Sequence, residues 1–172
     1  MMAIRALPTW YGGICFRSKL EASWAKYLDS IGVKWIYEPQ GYELSSGAWY
    51  LPDFYLPEAD AYLEVKGQLD DESFQKGSCF ALDIGKPVHF ALPMGAMAVC
   101  YEDEGMYNWF GNEDMSDYLI GRCHQCGRVM LIPRWATYDC PFCGVHGGDD
   151  GFDWLSKDWR ATTQIDVRRR GR

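Results

Sequence analysis

Residues 49–67 have the sequence WYLPDFYLPEADAYLEVKG and carry the pattern that decides the fold. Within them, residues 61–66 alternate in a way that is typical of a half-buried β-strand. On such a strand Glu64 and Lys66 point to the same face, with their α-carbons about 7 Å apart. The stretch therefore predicts a strand that presents a carboxylate and an ammonium group side by side.

A second strand-like run precedes this one and contains another acid. Residues 49–55 are rich in aromatic side chains and contain Asp53 directly after a proline. Residues 57–60, between the two runs, have the composition of a turn. If the runs pair as a hairpin, we expect the side chains of Asp53, Glu64 and Lys66 to converge.

The flanking sequence supplies the other elements of a mixed α/β (α+β) fold. An apolar stripe over residues 16–31 predicts an amphipathic helix, which Gly32 ends. Periodicity and composition predict a strand over 33–37, a helix over 71–84 and a strand over 88–92. The predicted order of the core is helix, three strands, helix and strand.

Two carboxylates and a lysine at this spacing suit the hydrolysis of phosphodiester bonds. That reaction needs a nucleophilic water and neutralisation of charge on the phosphate, which hard divalent ions such as Mg²⁺ supply from carboxylate ligands. Asp53 and Glu64 are the predicted metal ligands, and the carbonyl oxygen of Val65 is a third candidate. Lys66 is predicted to orient or deprotonate the water, or to stabilise the charged phosphate.

Ordinary structural interpretations of the same residues stay open. An aspartate after a proline is often a turn residue, and Glu64 and Lys66 also fit a solvent-facing pair on a strand. Glu21 lies at the edge of the apolar stripe, where a carboxylate can reach a metal, but Ser18 and Glu21 also match a capping box. Arg17, beside them, is either a phosphate ligand or an exposed side chain.

Two cysteine pairs in the C-terminal half predict a zinc site. Each pair has the sequence Cys-x-x-Cys-Gly, and thirteen residues separate the pairs. Two thiolates from each tight turn complete a tetrahedral set around Zn²⁺, and the trailing glycines allow the turns to close. The predicted ligands of this structural zinc ribbon are Cys123, Cys126, Cys140 and Cys143.

The role of the ribbon has two interpretations. Its arginines and aromatic rings could bind phosphates and stack on bases, or the rings could pack the small core of the ribbon. The candidate residues are Arg122, Arg128, Arg134, Trp135, Tyr138 and Phe142. His124 and His146 are predicted to be surface residues, and Cys15, Cys79 and Cys100 to be buried small apolar residues.

Composition limits the classes of protein to which the chain can belong. Of its 172 residues 48% are hydrophobic, which indicates a folded protein, and the odd number of cysteines favours a reducing, intracellular compartment. The net charge of −7 argues against broad, nonspecific nucleic-acid binding. No apolar run is long enough to span a membrane, and the N-terminus lacks a signal-peptide pattern.

These features divide the chain into four predicted segments. They are a core over 1–93, an acidic connector over 94–120, the zinc ribbon over 121–146 and a tail over 147–172 that is basic at its end. The tail has two interpretations, as a source of phosphate contacts or as a solvated end without a role.

Four short motifs of the predicted core resemble those of the PD-(D/E)XK nuclease superfamily. They are FRSKLE at 16–21, YE at 37–38, LPDFYLP at 51–57 and EVKG at 64–67. Within the superfamily, residues 14–92 resemble phage Holliday-junction resolvases of the endonuclease I type. The resemblance implies a restriction-endonuclease-like αβββαβ core that cleaves DNA with Mg²⁺ or Mn²⁺.

The resemblance also implies roles for individual residues and partners. The helix glutamate of the family falls on Glu21, its aspartate on Asp53, its second carboxylate on Glu64 and its lysine on Lys66. This shifts the interpretation of Glu21 towards catalysis. The implied partners are DNA, including branched DNA, and a second copy of the chain, in the cytoplasm of a phage host. The acidic charge and the cysteine module depart from the pattern of these resolvases.

Two functions follow from the sequence. The first is a divalent-metal-dependent endodeoxyribonuclease with a small C-terminal zinc ribbon. The second is a non-enzymatic phage binding protein that grips a host protein or a nucleic acid through the ribbon. The intact set of four catalytic candidates favours the first function, and the acidic charge favours the second.

Overall fold

The computed structural model describes residues 6–93, 97–100, 118–133, 139–146, 151–157 and 159–163. The fold is a mixture of helices and sheets, which confirms the predicted α+β class. The helices are α1 (Lys19–Ser30), α2 (Asp71–Ile84) and α3 (Trp159–Thr162). The strands are β1 (Thr9–Tyr11), β2 (Ile14–Phe16), β3 (Ile36–Tyr37), β4 (Tyr42–Glu43), β5 (Trp49–Tyr50), β6 (Phe54–Leu56), β7 (Ala61–Val65), β8 (Val88–Ala91), β9 (Met97–Cys100), β10 (Tyr118–Cys123), β11 (Val129–Pro133) and β12 (Phe152–Trp154).

The largest sheet has five strands in the order β3-β6-β7-β8-β9. β6 and β7 pair antiparallel through the turn at residues 57–60, which confirms the predicted hairpin. β7 and β8 are parallel, so α2 forms the crossover between them. The elements α1, β3, β6, β7, α2 and β8 follow the predicted order of helix, three strands, helix and strand.

Both faces of this sheet are covered. Leu63 of β7 points into a core that it shares with Trp24 of α1. Tyr62 points the opposite way, into a second core with Phe80 of α2. The prediction of a half-buried strand is therefore wrong for residues 61–64, which are all buried, because a helix packs on each side of the sheet.

Some predicted boundaries differ from the observed ones where a proline or a tertiary contact intervenes. Phe16 belongs to β2 and is fully buried, and α1 begins at Lys19 after the N-cap Ser18. The run 49–55 is divided into β5 and β6. Pro52 lies at the break because it has no N–H to donate to a ladder, and β5 pairs with β4 instead.

The segments predicted as connector and tail contribute to the fold where the structure describes them. β9 pairs with β8, and β12 pairs with β10. α3 packs Trp159 against Trp24 of α1, with ring centroids 4.7 Å apart. These elements were not predicted because they are short and their partners are distant in the chain. Residues 101–117 of the connector and the tail arginines at 168–170 and 172 lie outside the described residues.

The three-stranded sheet β11-β10-β12 carries the predicted zinc ribbon and shares the main core. Ile120, Val129 and Leu131 are buried in the same cluster as Trp24 and Leu63. The ribbon is therefore packed against the larger sheet and α1 through apolar side chains.

A glycine brings α2 close to the sheet. Asp70 caps the start of the helix by accepting the amide of Ser73, and Gly85 ends the helix in the left-handed conformation. In the middle of the helix, a Cβ on Gly77 would lie 2.3 Å from the ring of Phe90 in β8. The missing side chain at position 77 thus lets the helix backbone contact this ring.

We expect Gly77→Ala to lower the free energy of unfolding by about 1 kcal/mol net, because the added methyl group overpacks the contact with Phe90 at a cost of about 2 kcal/mol. The higher helix propensity of alanine offsets part of this effect, by about 1 kcal/mol. Gln75→Ala, at an exposed position of the same helix, is the matched control and should change stability by less than about 0.5 kcal/mol. Urea denaturation measures both variants. A Gly77→Ala variant at least as stable as the native chain would contradict this packing.

Candidate functional site

Asp53 and Glu64 lie next to each other at the open end of the β6–β7 hairpin. The register pairs Phe54 with Leu63, so one further step places Asp53 opposite Glu64. Both acids are buried, with 5% and 6% of their surface exposed. The ammonium group of Lys66 lies 2.8 Å from Oε1 of Glu64. The structure thus brings together the three groups that we expected to converge.

Two donors fix the carboxylate of Asp53. Oδ2 accepts the backbone amide of Val65 at 2.7 Å, and Oδ1 accepts Nη2 of Arg17 at 2.7 Å. Burial, followed by the negative charge of Glu64, raises the pKa of Asp53 from its ordinary value of 3.8 to about 7. Taken alone, this carboxyl lowers the free energy of unfolding as the pH rises from about 4 to about 7, because the unfolded chain loses the proton first.

Lys66 is held in its charged form. Burial opposes the charge, but the carboxylate of Glu64, together with Asp53 and Asp70, outweighs burial and the pKa of Lys66 is raised. Glu64 also accepts a hydrogen bond from the hydroxyl of Tyr50 at 3.1 Å. An ammonium group with a raised pKa is suited to stabilising negative charge rather than to removing a proton from water. Of the roles predicted for Lys66, its raised pKa favours stabilisation of negative charge over deprotonation of a water.

Arg17 joins the hairpin to the start of α1. Its guanidinium contacts Asp53 at 2.7 Å and Glu38 at 2.8 Å, and 56% of its side chain is exposed. Glu38 adopts a left-handed conformation with φ of +44°, which is uncommon for a residue other than glycine. The amide of Glu38 donates to the carbonyl of Asp53 at 2.8 Å. Arg17 is therefore a counter-ion of Asp53 that also faces solvent.

Glu21 is buried at the start of α1 and takes part in capping. The Ser18 hydroxyl accepts the Glu21 amide at 3.1 Å and donates to Oε1 of Glu21 at 2.7 Å. Oε2 accepts the hydroxyl of Tyr37 at 2.6 Å and the amide of Arg17 at 3.2 Å, whereas a capping box would use the amide of Ser18. The charge of Glu21 also contributes to the raised pKa of Asp53. Capping and proximity to Asp53 are thus both properties of this residue.

The carbonyl of Val65 lies on the Asp53 side of β7. Along a strand, the amide and the carbonyl of one residue point to the same neighbour, and the amide of Val65 points to Asp53. The amide of Lys66, one residue later, points the other way and donates to the carbonyl of Ala91 at 2.9 Å. The backbone oxygen of Val65 is therefore on the correct edge to act as the third candidate ligand.

A cleft of about 410 Å³ opens beside Glu64 and Lys66. Its lining combines cationic, acidic and aromatic side chains. The lining residues are Arg17, Trp49, Tyr50, Leu51, Glu64, Lys66, Glu72, Ser73 and Lys76. Asp53 is not part of this lining. The volume of the cleft is within the range of pockets that hold small ligands, and it lies next to the charged groups of the site.

Three aromatic residues of the site were not predicted as site residues, although Tyr37 belongs to the YE motif at 37–38. Burial and the hydrogen bond to Glu21 raise the pKa of Tyr37, so its phenol stays a donor. Tyr50 supports Glu64 from β5, and Trp49, the preceding residue, lines the cleft. For Trp49 and Tyr50, the signal available in the sequence was a pair of adjacent rings directly before residues 51–53. Neighbouring side chains of a strand point to opposite faces, so one ring of such a pair is expected to face outward.

The four cysteines of the ribbon form a closed group of ligands. Their sulfur atoms all lie within 4.8 Å of one another. Those of Cys123 and Cys143 are 3.8 Å apart, and those of Cys126 and Cys140 are 3.6 Å apart. Tetrahedral ligands about 2.3 Å from zinc lie about 3.8 Å from one another, so the group fits Zn²⁺. In the described part of the chain, no other three histidine, cysteine or acidic side chains come as close together.

The two cysteine turns are built alike. The amide of Gly127 donates to the carbonyl of Cys123 at 2.8 Å, and the amide of Gly144 donates to the carbonyl of Cys140 at 2.9 Å. Both glycines have a positive φ, of +72° and +69°. The trailing glycines therefore close the turns in the way that the sequence predicted.

The ribbon arginines that the structure describes are engaged within the protein. Nη1 of Arg122 contacts Oε1 of Glu58 at 2.8 Å, and the guanidinium of Arg128 lies 3.8 Å from the ring centroid of Phe142. These contacts favour the packing interpretation of the ribbon over the phosphate-binding one. Arg134, Trp135 and Tyr138 lie outside the described residues.

The remaining cysteines and the two ribbon histidines complete the comparison with the sequence. His124 and His146 are exposed, as predicted. Cys15 is also exposed, so the prediction of burial is wrong for it, because it occupies the outward position of β2. Cys79 is half-buried, and the side chain of Cys100 lies outside the described part of the chain.

No protein-family model, no curated protein and no solved structure matches the chain. The arguments about function therefore start from the geometry of the hairpin site and of the cysteine group. Among the residues that the structure describes, no helix has the length and apolar character needed to cross a membrane.

We expect loss of metal from the ribbon to destabilise the main sheet as well. Ile120, Val129 and Leu131 are buried in the main core, so an unfolded ribbon would expose that core. Cys123→Ser should lower the thermal midpoint of unfolding by more than about 5 °C. Circular dichroism, with zinc content measured on the same sample, provides the test.

Cys15→Ser is the control for this experiment, because Cys15 is exposed and lies outside the cysteine group. It should leave both the zinc content and the midpoint unchanged. An unchanged midpoint in Cys123→Ser, together with lost zinc, would show that the ribbon does not support the core.

Proposed function

We propose that the protein is a divalent-metal-dependent endonuclease that hydrolyses DNA phosphodiester bonds. One observation carries the proposal: two buried carboxylates, Asp53 and Glu64, are adjacent across the hairpin, with the ammonium group of Lys66 beside them. Burial and then the charge of Glu64 raise the pKa of Asp53, and a hard cation would compensate for both the burial and the repulsion. The order of α1, β3, β6, β7, α2 and β8 supports a PD-(D/E)XK core of the αβββαβ type.

The donor set suits Mg²⁺ or Mn²⁺. It consists of oxygen atoms alone, from the carboxylates of Asp53 and Glu64 and the carbonyl of Val65. The carboxylate oxygens of Glu21, Asp53 and Glu64 do not all lie within 4.8 Å of one another. Their side chains would therefore have to turn to share one ion. A bound divalent ion would supply Lewis acidity and an activated water.

The other side chains of the site have roles that follow from their contacts. Lys66 lines the cleft and is held charged, so it can neutralise the developing charge on a phosphate. Arg17 combines a contact to Asp53 with an exposed side, so it can bind a phosphate oxygen. Tyr50 and Tyr37 are positioning residues, because they hold the carboxylates of Glu64 and Glu21.

A non-enzymatic binding protein is the second candidate function. The net charge of −7 favours it, because an acidic surface suits a protein partner better than bare DNA. The internal contacts of Arg122 and Arg128 weigh against a grip on nucleic acid through the ribbon. This candidate would then hold a host protein, and it predicts no hydrolysis of DNA.

The first test measures cleavage of supercoiled plasmid and of branched DNA with Mg²⁺ or Mn²⁺. Asp53→Asn and Lys66→Ala should each reduce the rate by at least about 100-fold, because they remove a ligand and a stabilising charge. Lys86→Ala is the matched control. Lys86 is also paired with an aspartate, Asp60, but it does not line the cleft, so this variant should cut at the native rate. A native chain that cuts neither DNA with either ion would favour the binding protein.

The second test uses the pH dependence of metal binding. Because the pKa of Asp53 is raised to about 7, a proton competes with the cation below that pH and not above it. The affinity for Mn²⁺ should rise by about tenfold per pH unit up to about pH 7 and then level off. Titration calorimetry at about pH 5.5, 6.5 and 7.5 (one unit apart, chosen to bracket the pKa) measures this change. An affinity for Mn²⁺ that does not change across this range would count against Asp53 as a ligand.

A further inference from the structure

Trp49 is a large aromatic residue exposed at the edge of the candidate site. Its exposed fraction is 69%, whereas large aromatic side chains are mostly buried in folded proteins. Trp49 lines the same cleft as Glu64 and Lys66. An indole ring that faces solvent beside charged catalytic candidates offers a flat apolar surface to whatever occupies the cleft.

The ring of Trp49 is held in place although it is exposed. A Cβ on Gly41 would lie 2.1 Å from Cζ2 of the indole, so the ring lies directly against the backbone at Gly41. Tyr50, the next residue, is buried and packs on Phe80 with ring centroids 4.6 Å apart. Its hydroxyl donates to Glu64. The position of Trp49 is therefore tied to the carboxylate of the site through one peptide bond and one hydrogen bond.

The cleft offers three cations to a nucleic-acid backbone, beside the acids Glu64 and Glu72. Lys66 and Arg17 line it, together with Lys76, which pairs at 3.2 Å with the highly exposed Glu72. Such a surface pair is weak, so Lys76 can exchange it for a phosphate. The chain as a whole is acidic, so it lacks the broad basic field on which binding to duplex DNA usually depends.

We infer that Trp49 stacks on an unpaired base next to the scissile phosphate, and that the substrate is DNA with a single-stranded segment. Stacking on an aromatic ring contributes affinity that does not depend on net charge and is tolerant of sequence. In a duplex the faces of the bases are already stacked on one another, so the ring of Trp49 has no base face to contact. This inference rests on the proposed function, because it names the substrate class of the same site.

The experiment measures binding of fluorescently labelled 12-nucleotide (about one site size) single strands and of matched duplexes by anisotropy, with Ca²⁺ in place of Mg²⁺. Trp49→Ala should weaken binding of the single strand by about 5- to 100-fold and leave binding of the duplex nearly unchanged. Trp49→Phe should retain most of the affinity, because it keeps a ring. Gly41→Ala should reproduce part of the loss, because it displaces the indole without removing it.

Trp10→Ala is the matched control. Trp10 is exposed to 67%, on the β1–β2 hairpin, and does not line the cleft. Its replacement should leave binding unchanged. Equal loss in Trp10→Ala and Trp49→Ala, no loss in Trp49→Ala, or an equal loss for single strand and duplex would overturn the inference.

The same measurements separate failure of this inference from failure of the proposed function. If the native chain cuts duplex DNA and Trp49→Ala neither weakens single-strand binding nor slows cleavage, the nuclease proposal stands and the role of Trp49 is wrong. If the native chain binds single strands through Trp49 but cuts no DNA with Mg²⁺ or Mn²⁺, stacking stands and the hydrolytic function is wrong.

Discussion

The hydrogen bond from the amide of Val65 to the side chain of Asp53 is the contact on which the candidate site depends. The β6–β7 ladder ends at the pair of Phe54 and Leu63. Beyond it, the side-chain carboxylate of Asp53 accepts the amide of Val65 in place of a backbone carbonyl. An amide that loses its acceptor in such a place costs about 1–3 kcal/mol. The fold therefore holds an acid next to Glu64 although burial and repulsion raise the pKa of that acid. The repulsion between Asp53 and Glu64 therefore follows from the register of the hairpin.

The sheet that carries the four cysteines supports the opposite end of the same hairpin. Glu58 lies in the turn between β6 and β7, and it accepts hydrogen bonds from Nη1 of Arg122 at 2.8 Å and, through its carbonyl, from Arg128 at 3.4 Å. The contact with Arg122 lowers the pKa of Glu58, so this ion pair favours the folded state at neutral pH. Arg122 and Arg128, on either side of the first cysteine turn, thus stabilise the strand pair that carries Asp53 and Glu64. Cys123 and Cys126 lie within two residues of these arginines, which gives the four-cysteine group an indirect influence on the site.

Local sequence patterns were sufficient where the deciding contacts are close in the chain. The β6–β7 hairpin, α2 and the cysteine turns all depend on residues within a few positions of one another. The patterns failed where the partner is distant. Phe16 has the spacing of a helical residue but is buried in β2, and β9 and β12 join sheets whose other strands lie elsewhere in the sequence. The contacts of Arg122 and of Tyr50 were missed for the same reason, since no local pattern specifies Glu58 or Glu64 as their partner.

If the proposed function holds, the balance between acidic and cationic side chains determines whether a phosphate can bind in the site. Three buried acids, Glu21, Asp53 and Glu64, are opposed by two cations, and one of these, Arg17, is shared with Glu38. Above about pH 7 the site is therefore net negative and repels a phosphate. The net charge of −7 provides no wider positive field to offset this repulsion. On the proposed function, a cation bound between Asp53 and Glu64 would offset this repulsion, so it would serve substrate binding as well as hydrolysis.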